Sequence, residues 1–469
     1  MRRFPDPRAD TAAPVVAPGE IIRSGLCIGC GSCAAAHDGG SMQWQGDGFL
    51  KPNGSAEWLE TPSELFSRQC PFSPAAANED EIARERFPEA PNHDRRIGRF
   101  EAAYVGHAIE NPFRPNGSSG GLTNWVAAEL LRTGAVDAVA HVAPTDPKST
   151  GRHFAYRLSS TVDELMEGAK SRYYPIELSS VLETVRAKPG RYAIVGIPCF
   201  IKAIHLLRRI DPIVGERVKH TLGLFCGHMK SAAMVQSFAW QLGTEIRRVQ
   251  AVDYRIKDEG RPANWYRAHL ELDDGSTAAQ DWWHLADGDW GAGFFQNPAC
   301  DWCDDVVAET ADISFGDAWV EPYSSDGRGT NVVIVRSPEL KTMIEEGRAA
   351  GRLQLEPVDA DFIARTQAAG LRHRRDGLAY RLSWRRRGIV PRKRVAPSAD
   401  LPLRRKLVYR MRYAIARWSP RIFAAARALR MPSLYIRWAR TVLRFYQSIT
   451  WSQGRLGRLL DKLMPSPEP

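Results

Sequence analysis

The eight cysteines of this 469-residue chain fall into two sets of four, and this grouping is the strongest constraint on its fold. The members of the compact first set are Cys27, Cys30, Cys33 and Cys70. The members of the scattered second set are Cys199, Cys226, Cys300 and Cys303. Because a [4Fe–4S] cluster takes four thiolates, the count predicts two clusters with no cysteine left over, in a protein that transfers electrons.

The first set carries the stronger signal, Cys-x2-Cys-x2-Cys with a distant Cys-Pro pair. Three thiolates this close can surround one cluster only if the backbone turns sharply, and Gly29 and Gly31 permit that turn. A ferredoxin-type run has its fourth cysteine where this chain has His37, so Cys70 is predicted as the fourth ligand and His37 is the alternative. A zinc site is the competing interpretation, although zinc sites usually show two Cys-x2-Cys pairs.

Spacing alone leaves the second set ambiguous. The Cys300–Cys303 pair suits zinc, a cluster or redox exchange. Cys199 and Cys226 each follow a predicted strand, at neighbouring edges of a sheet where sites commonly form. A lone cysteine is also often a small buried hydrophobic residue, and that interpretation stays open here.

Strands and helices alternate from Arg99 onward, which predicts an α/β (α+β) body. The predicted strands cover residues 100–109, 136–142, 192–195, 221–225, 312–319 and 331–336. The predicted helices of this body include residues 122–133 and 200–209. Residues 20–73 are instead rich in turns, as expected of a small domain in which a cofactor replaces part of the core.

Charge divides the chain into an acidic body and a basic tail. From Leu371 onward there are 25 Lys and Arg residues against 4 Asp and Glu, a net charge of +21, whereas the preceding residues carry −11. Such a tail is typical of a surface for an anionic partner. Pro420 and Pro432 are predicted to break it into separate helices. Basic helices with Trp and Phe favour an anionic membrane surface, and packing on the acidic body is the alternative.

No run of about 18 apolar residues is present, and the first residues lack an apolar stretch. We therefore expect a cytoplasmic protein, with the tail placing it peripherally on the inner membrane surface. Reduced thiols in that compartment favour metal binding over disulfides.

A glycine-rich loop precedes the helix at 122–133 and offers a phosphate site. Its residues are Ser118, Ser119, Gly120 and Gly121. Small residues let the backbone approach a phosphate, and the amides of a helix N-terminus then bind it, although an ordinary capped turn has the same pattern. Lys170, Ser171 and Arg172 open a second segment whose cations and following tyrosines suit a flavin, or a solvated surface turn.

Together these motifs resemble the family of the coenzyme F420-reducing hydrogenase β subunit, which includes hydroxymethyl-chlorophyll reductases. The resemblance covers roughly Gly25 to Arg375. The matching segments, in chain order, are 27–33 with Cys70, 118–121, 170–173, 196–199, 224–226, 300–303 and 311–319.

The resemblance implies FAD in the α/β body, an inner [4Fe–4S] cluster on the second cysteine set, and a ferredoxin-like N-terminal domain with an outer cluster. The residues it places near the flavin are Ser118, Ser119, Gly120, Gly121, Lys170, Ser171 and Arg172. The domains that follow are a disordered lead-in (1–19), the ferredoxin-like domain (20–75), β-subunit N-terminal-like (98–180) and C-terminal-like (181–370) domains, and the basic tail (371–469).

The predicted function is an iron–sulfur flavoprotein oxidoreductase. Electrons from ferredoxin or a deazaflavin would pass through two clusters to FAD and a small organic substrate, with a polysaccharide or lipid-linked precursor as the guess. His205 and His228 lie near the motifs but are interpreted as structural. The alternative is a zinc-stabilised module with a nucleic-acid-binding tail, which lacks any recognised nucleic-acid motif. A homo-oligomer is left open.

Overall fold

The computed structural model describes residues 13–385 and 388–464. Of the predicted lead-in, residues 1–12 lie outside the described residues. Val16 and Ala17 are buried, and the first helix begins at Pro18. The amide of Val16 donates to the hydroxyl of Ser67 at 2.8 Å, so the ordered chain begins before residue 19.

The N-terminal part is a small helical unit with one hairpin. Its helices are α1 (Pro18–Arg23), α2 (Ser32–Ala35), α3 (Ala56–Glu60), α4 (Glu64–Gln69) and α5 (Glu79–Arg86). Its strands, which pair antiparallel, are β1 (Ser41–Trp44) and β2 (Leu50–Asn53). The assignment of this unit as ferredoxin-like stays a prediction.

Strands β3 to β15 follow in the rest of the chain. They are β3 (Asn92–Asp94), β4 (Gly98–Phe100), β5 (Ala102–Ala108), β6 (Ala138–Pro144), β7 (Phe154–Ser159), β8 (Tyr192–Gly196), β9 (Val218–Leu224), β10 (Val249–Asp253), β11 (Arg267–Leu272), β12 (Thr277–Asp281), β13 (Ile313–Asp317), β14 (Asn331–Val335) and β15 (Leu353–Pro357).

Helices of the body lie between and after these strands. They are α6 (Phe113–Asn116), α7 (Leu122–Arg132), α8 (Pro147–Thr150), α9 (Val162–Met166), α10 (Ser179–Ala187), α11 (Pro198–Arg208), α12 (Pro212–Arg217), α13 (Ala233–Gln241), α14 (Pro338–Ala349) and α15 (Ala360–Thr366).

Eight of these strands form one mixed sheet in the order β15-β5-β14-β13-β9-β8-β6-β7. The central strands β13, β9, β8 and β6 are parallel, and the outer strands pair antiparallel. Strands β10, β11 and β12 form a separate antiparallel sheet. The predicted mixed α/β body is thus confirmed. The two domains predicted at 98–180 and 181–370 both contribute strands to the large sheet.

The buried central strands explain why the sequence pattern was readable. Strand β14 is buried at all five positions, and α7 packs its apolar side, including the fully buried Trp125, against the sheet. Parallel strands β8 and β9 pair Gly196 with Gly223, so their carboxyl ends meet at one edge. Cys199 and Cys226 follow those ends, which is where the second cysteine set was expected to begin.

The basic tail is helical, as predicted. Its helices are α16 (Ala368–Arg374), α17 (Asp376–Trp384), α18 (Leu403–Ala428), α19 (Pro432–Trp451) and α20 (Gly454–Leu463). The predicted break at Pro420 is wrong, because α18 continues through that residue. Proline inside a helix costs about 3 kcal/mol. Here tertiary packing offsets that cost, since Pro420 is buried and Phe423 stacks on Trp240 at 4.4 Å.

The first part of the basic region is built into the acidic body. Arg394 bonds Glu309 at 2.6 Å and Asp304 at 3.3 Å, and Lys393 lies 3.1 Å from Asp304. All four side chains are at most 7 % exposed. Buried charges need such partners, since an unpaired one is costly. The Lys393–Arg394 segment of the tail therefore packs on the acidic body, as the alternative prediction had it.

None of the helices in residues 13–385 and 388–464 combines the length and the hydrophobicity that crossing a lipid bilayer requires.

Candidate redox centre

The first cysteine set surrounds a single pocket. Cys27, Cys30, Cys33 and Cys70 all line it, together with apolar side chains such as Phe66 and Phe72. Gly29 and Gly31 have φ of 81° and 80°. A Cβ at Gly29 would lie 2.4 Å from the carbonyl oxygen of Leu50. The tight turn predicted between the cysteines is thus present, and a side chain there would force the loop away.

His37 does not share this pocket. Its ring stacks on Trp58, with centroids 4.4 Å apart and planes 7° from parallel, and it is not among the residues that line the cavity. Cys70 is the fourth residue of the pocket instead, because the C-terminal end of α4 presents it there. The geometry favours the four-cysteine set over the histidine alternative.

The second cysteine set surrounds another pocket. Cys199 lies in the first turn of α11 and Cys226 follows β9. Cys300 lies within a short 3-10 turn at Pro298–Trp302, and Cys303 directly follows it. All four line one cavity. The amide of Met229 donates to the sulfur of Cys300 at 3.3 Å, as a thiolate-type acceptor would require. The fold therefore brings together cysteines that lie up to 104 positions apart in the sequence. Their spacing along the chain could not show that they share one site.

The number of thiols at each pocket fits a cluster. Each cavity is lined by four cysteines, and a [4Fe–4S] group takes four thiolates, each on a different iron. Four thiolates also suffice for a structural zinc site, and metal analysis of the purified protein distinguishes the two.

Arg374 lies at the second pocket, although the sequence did not single it out. Its guanidinium lines the second pocket and is 2 % exposed. It donates to the carbonyl oxygens of Gly227 at 2.5 Å, Cys226 at 3.2 Å and Cys300 at 3.3 Å. Throughout the part of the chain that the structure describes, no carboxylate lies within ion-pair distance of it. The same pocket is lined by the buried Asp305, so the cavity brings one buried cation and one buried acid group to the four thiols.

Burial dominates the pKa values of the thiols in both pockets and favours their neutral form. Burial raises the pKa of the Cys30 and Cys300 thiols to about 12, and it raises the pKa of Cys199 well above its usual value. Burial alone would lower the pKa of Arg374, yet the surrounding sulfur atoms raise it. Because metal binding needs thiolates, the iron of a cluster would supply the positive charge that keeps these thiols deprotonated.

The two pockets share a wall. Ile28 and Phe72 line both of them. Ile28 stands between two cysteines of the first set, and its carbonyl accepts from the amide of the Asn297 side chain at 3.2 Å. The two candidate cluster sites are therefore separated by about one layer of side chains.

The glycine-rich loop and the Lys170 segment meet in the fold. The amide of Ser171 donates to the hydroxyl of Ser118 at 2.8 Å. Ser119 donates to the carbonyl of Thr330 at 3.0 Å. Gly121 has a φ of 81° and begins α7. These contacts bring together two segments that were predicted separately.

The cations of the second segment are partly paired. Lys170 lies 2.8 Å from Asp253, and Arg172 packs over the ring of Phe154, 4.9 Å from its centroid. A Cβ at Gly120 would lie 2.8 Å from the carbonyl oxygen of Gly106, so this position has room only for glycine.

Lys257 is a second residue that the sequence analysis missed. Its ammonium donates to the carbonyl oxygens of Arg114 at 2.5 Å and Ser119 at 2.9 Å. Burial, and then the nearby Arg114, Arg255 and Lys170, lower its pKa to about 8. The three neighbouring cations pair with carboxylates, Arg114 with Asp326, Arg255 with Asp317 and Lys170 with Asp253. Within the described residues Lys257 has no carboxylate at ion-pair distance, so it is the cation beside the loop whose charge a phosphate group could balance. No motif marks Lys257, because its neighbours are distant in sequence.

The two histidines near the motifs are buried. His228 stacks on Trp290, with centroids 4.3 Å apart, and burial lowers its pKa well below the usual value. Burial likewise lowers the pKa of His205 to about 3. Neither lines either cysteine pocket, so their interpretation as structural residues stands as a prediction.

The chain is similar to proteins that are named for coenzyme F420. A relative from Methanocaldococcus jannaschii, named coenzyme F420-dependent sulfite reductase, is 22 % identical over 341 residues, which are 70 % of this chain and 47 % of the relative. The chain thus spans about half the length of that relative. A chain of the F420-reducing [NiFe] hydrogenase complex from Methanosarcina barkeri is 16 % identical with a TM-score of 0.49, covering 64 % of this chain and 99 % of that one.

Two family models match the α/β body. Residues 103–183 match the coenzyme F420 hydrogenase/dehydrogenase beta subunit N-terminal model, and residues 190–361 match the C-terminal model. Both matched segments contribute strands to the large sheet, and the C-terminal one contains the second cysteine set, in the order that the motifs predicted. The chain belongs to the coenzyme F420 hydrogenase/dehydrogenase beta subunit family.

Proposed function

We propose that this protein is an iron–sulfur flavoprotein oxidoreductase in which two [4Fe–4S] clusters connect an external electron donor to a flavin. One observation carries the proposal: each set of four cysteines lines its own cavity, and the two cavities share Ile28 and Phe72. Clusters of this kind pass single electrons, and FAD pairs two of them for an organic substrate.

The first set would hold the outer cluster. This site belongs to the N-terminal unit, which the family resemblance assigns to exchange with a donor such as ferredoxin or a deazaflavin. Burial does not distinguish the two sets, since each has two buried and two partly buried cysteines. The second set would hold the inner cluster. There Arg374, which three backbone carbonyls hold in place, would offset part of the negative charge of the four thiolates.

The glycine-rich loop and the Lys170 segment would hold the phosphates of FAD. The backbone amides of the loop and Lys257 supply donors and positive charge. The pKa of Lys257, lowered to about 8, would rise again when an anion binds beside it, since an opposite charge favours the ammonium form. The residues present therefore fit a phosphate-bearing cofactor.

The substrate is proposed as a small organic molecule, with a polysaccharide or lipid-linked precursor as one class. The names of the two relatives join coenzyme F420 to sulfite reduction and to hydrogenase activity. Coenzyme F420 is therefore the first deazaflavin to try as an electron donor.

Anaerobic purification of the full chain tests the cofactors. We expect about eight iron atoms and eight sulfides per chain, one FAD, and cluster signals in the EPR spectrum of the reduced protein. Stoichiometric zinc with neither iron nor flavin would support the zinc-stabilised module and contradict the proposal.

The variant Lys257→Met separates the flavin site from the clusters. We expect its FAD content to fall roughly tenfold, which one lost charge-assisted hydrogen bond explains, while its iron content stays the same. Lys219→Met is the matched control, because Lys219 is exposed on β9 and away from the loop. Equal flavin loss in both variants would mean that Lys257 does not act locally.

A further inference from the structure

The last three helices, α18 to α20, carry an unusual share of the exposed apolar surface. Of the sixteen large hydrophobic side chains that are exposed in the described chain, ten lie between Leu403 and Leu463. They are Leu403, Trp418, Leu429, Met431, Leu434, Phe445, Trp451, Leu456, Leu459 and Leu463. Such a concentration of exposed apolar side chains on consecutive helices is typical of an interaction surface.

Helix α20 presents its apolar side to solvent. Leu456, Leu459 and Leu463 are spaced three and four residues apart, so they share one side of the helix. They are 39 %, 54 % and 69 % exposed. Arg455 and Arg458 are exposed on the adjacent side. A helix with this arrangement suits the boundary between water and lipid.

Helix α19 continues the same pattern. Its inner side is held by Tyr435, whose hydroxyl bonds Asp287 at 2.9 Å, and by the buried Ala439 and Tyr446. On its outer side Phe445 is 51 % exposed. With 20 residues, α19 is about 30 Å long, and it bears exposed apolar groups from Leu434 to Trp451.

Nearly all the charged residues of this region are positive. Residues 401–464 contain fifteen Lys and Arg residues and a single acidic residue, Asp461. That carboxylate pairs with Arg404. Within the described residues, the other fourteen cations have no carboxylate at ion-pair distance. This surface differs from the Lys393–Arg394 segment, whose cations are neutralised inside the body.

We propose that the exposed side of α19 and α20 docks the protein onto an anionic lipid bilayer. Apolar side chains would enter the headgroup boundary while the flanking arginines meet lipid phosphates. A second copy of the chain would bring like charges together, which opposes its docking on the same side. A nucleic acid would neutralise the arginines but leave the leucines of α20 in water. The proposal is independent of the cofactors.

Sedimentation of the holoprotein with vesicles tests this surface. Vesicles with about one third phosphatidylglycerol in phosphatidylcholine should bind at least tenfold more protein than pure phosphatidylcholine, because each cation near an anionic surface adds affinity. The variant Leu456→Ser/Leu459→Ser/Leu463→Ser should lose roughly tenfold or more of that binding. Arg437→Gln/Arg440→Gln/Arg444→Gln should do the same and weaken the salt dependence.

The matched control is Trp283→Ser/Arg247→Gln, which removes an exposed aromatic and an exposed cation outside the tail. It should bind vesicles like the original protein. All variants should keep their visible spectrum, which shows that they fold with their cofactors. Binding to double-stranded DNA but not to anionic vesicles, or dimerisation that the α20 variant abolishes without any lipid binding, would overturn the proposal.

Discussion

Replacing Cys226 with serine is expected to remove the inner cluster. The iron content should fall from about eight to about four atoms per chain, and one of the two EPR signals of the reduced protein should disappear. Turnover should drop on the order of a thousandfold, because the remaining cluster would lack its connection to the flavin. The backbone should hold, since the Cys226 amide donates to the carbonyl of Val306 at 2.9 Å and serine retains that bond.

Two further variants make this result specific. Cys33→Ser should abolish the other EPR signal and leave the inner one, which identifies the two sites separately. Met229→Leu keeps the amide that donates to Cys300 and should retain both clusters. If Cys226→Ser kept all eight iron atoms, the second cysteine set would not be a ligand set.

Replacing Arg374 with methionine is expected to lower the reduction potential of the inner cluster. Reduction adds an electron beside this cation, so its loss disfavours the reduced state. At a separation of about 6 Å and an effective dielectric constant of about 20, a unit charge contributes about 2.8 kcal/mol. This corresponds to about 120 mV for a one-electron couple. An EPR-monitored redox titration measures the shift directly.

The conservative variant tests whether the charge or the packing matters. Arg374→Lys should restore most of the potential, although it cannot keep all three hydrogen bonds of the guanidinium. Arg372→Met, in the same helix but outside the pocket, should leave the potential unchanged. A methionine variant that kept both its cluster and the original potential would contradict the assignment of Arg374 as the counter-charge.

Local sequence patterns were sufficient for the strands and for the first cysteine set. The buried strand at Asn331–Val335 is apolar at four of its five positions, and such a run is readable because each residue has the same environment. The turn around Gly29 and Gly31 was predictable for a similar reason, since a short Cys-x2-Cys-x2-Cys run can surround one cofactor in very few ways.

Other features depend on contacts between residues that are distant in the sequence, which local sequence patterns do not show. The helix through Pro420 persists because Phe423 packs on Trp240, and the energy of that contact depends on a residue 183 positions away. Lys257 and Arg374 carry no motif, and each acquires its role from neighbours that only folding brings near.

The basic tail shows the same division. Composition showed an excess of 21 positive charges in residues 371–469, and the residue spacing indicated helices. Neither distinguished the buried part of this tail from its exposed part. The fold separates it into a buried part, where Arg394 pairs with Glu309, and an outer part, where Leu459 and Leu463 face solvent. Charge is a property of each residue, whereas burial depends on what packs against it.

The sequence by itself determined that eight thiols form two sets, that strands alternate with helices, and that the chain ends in cationic helices. Those features follow from residue type and short spacings. Only the tertiary structure decided that Cys199, Cys226, Cys300 and Cys303 share one cavity, that Ile28 and Phe72 line both this cavity and the first, and that the buried Arg374 reaches it. Distance and desolvation set these relationships, and both arise when remote segments pack together.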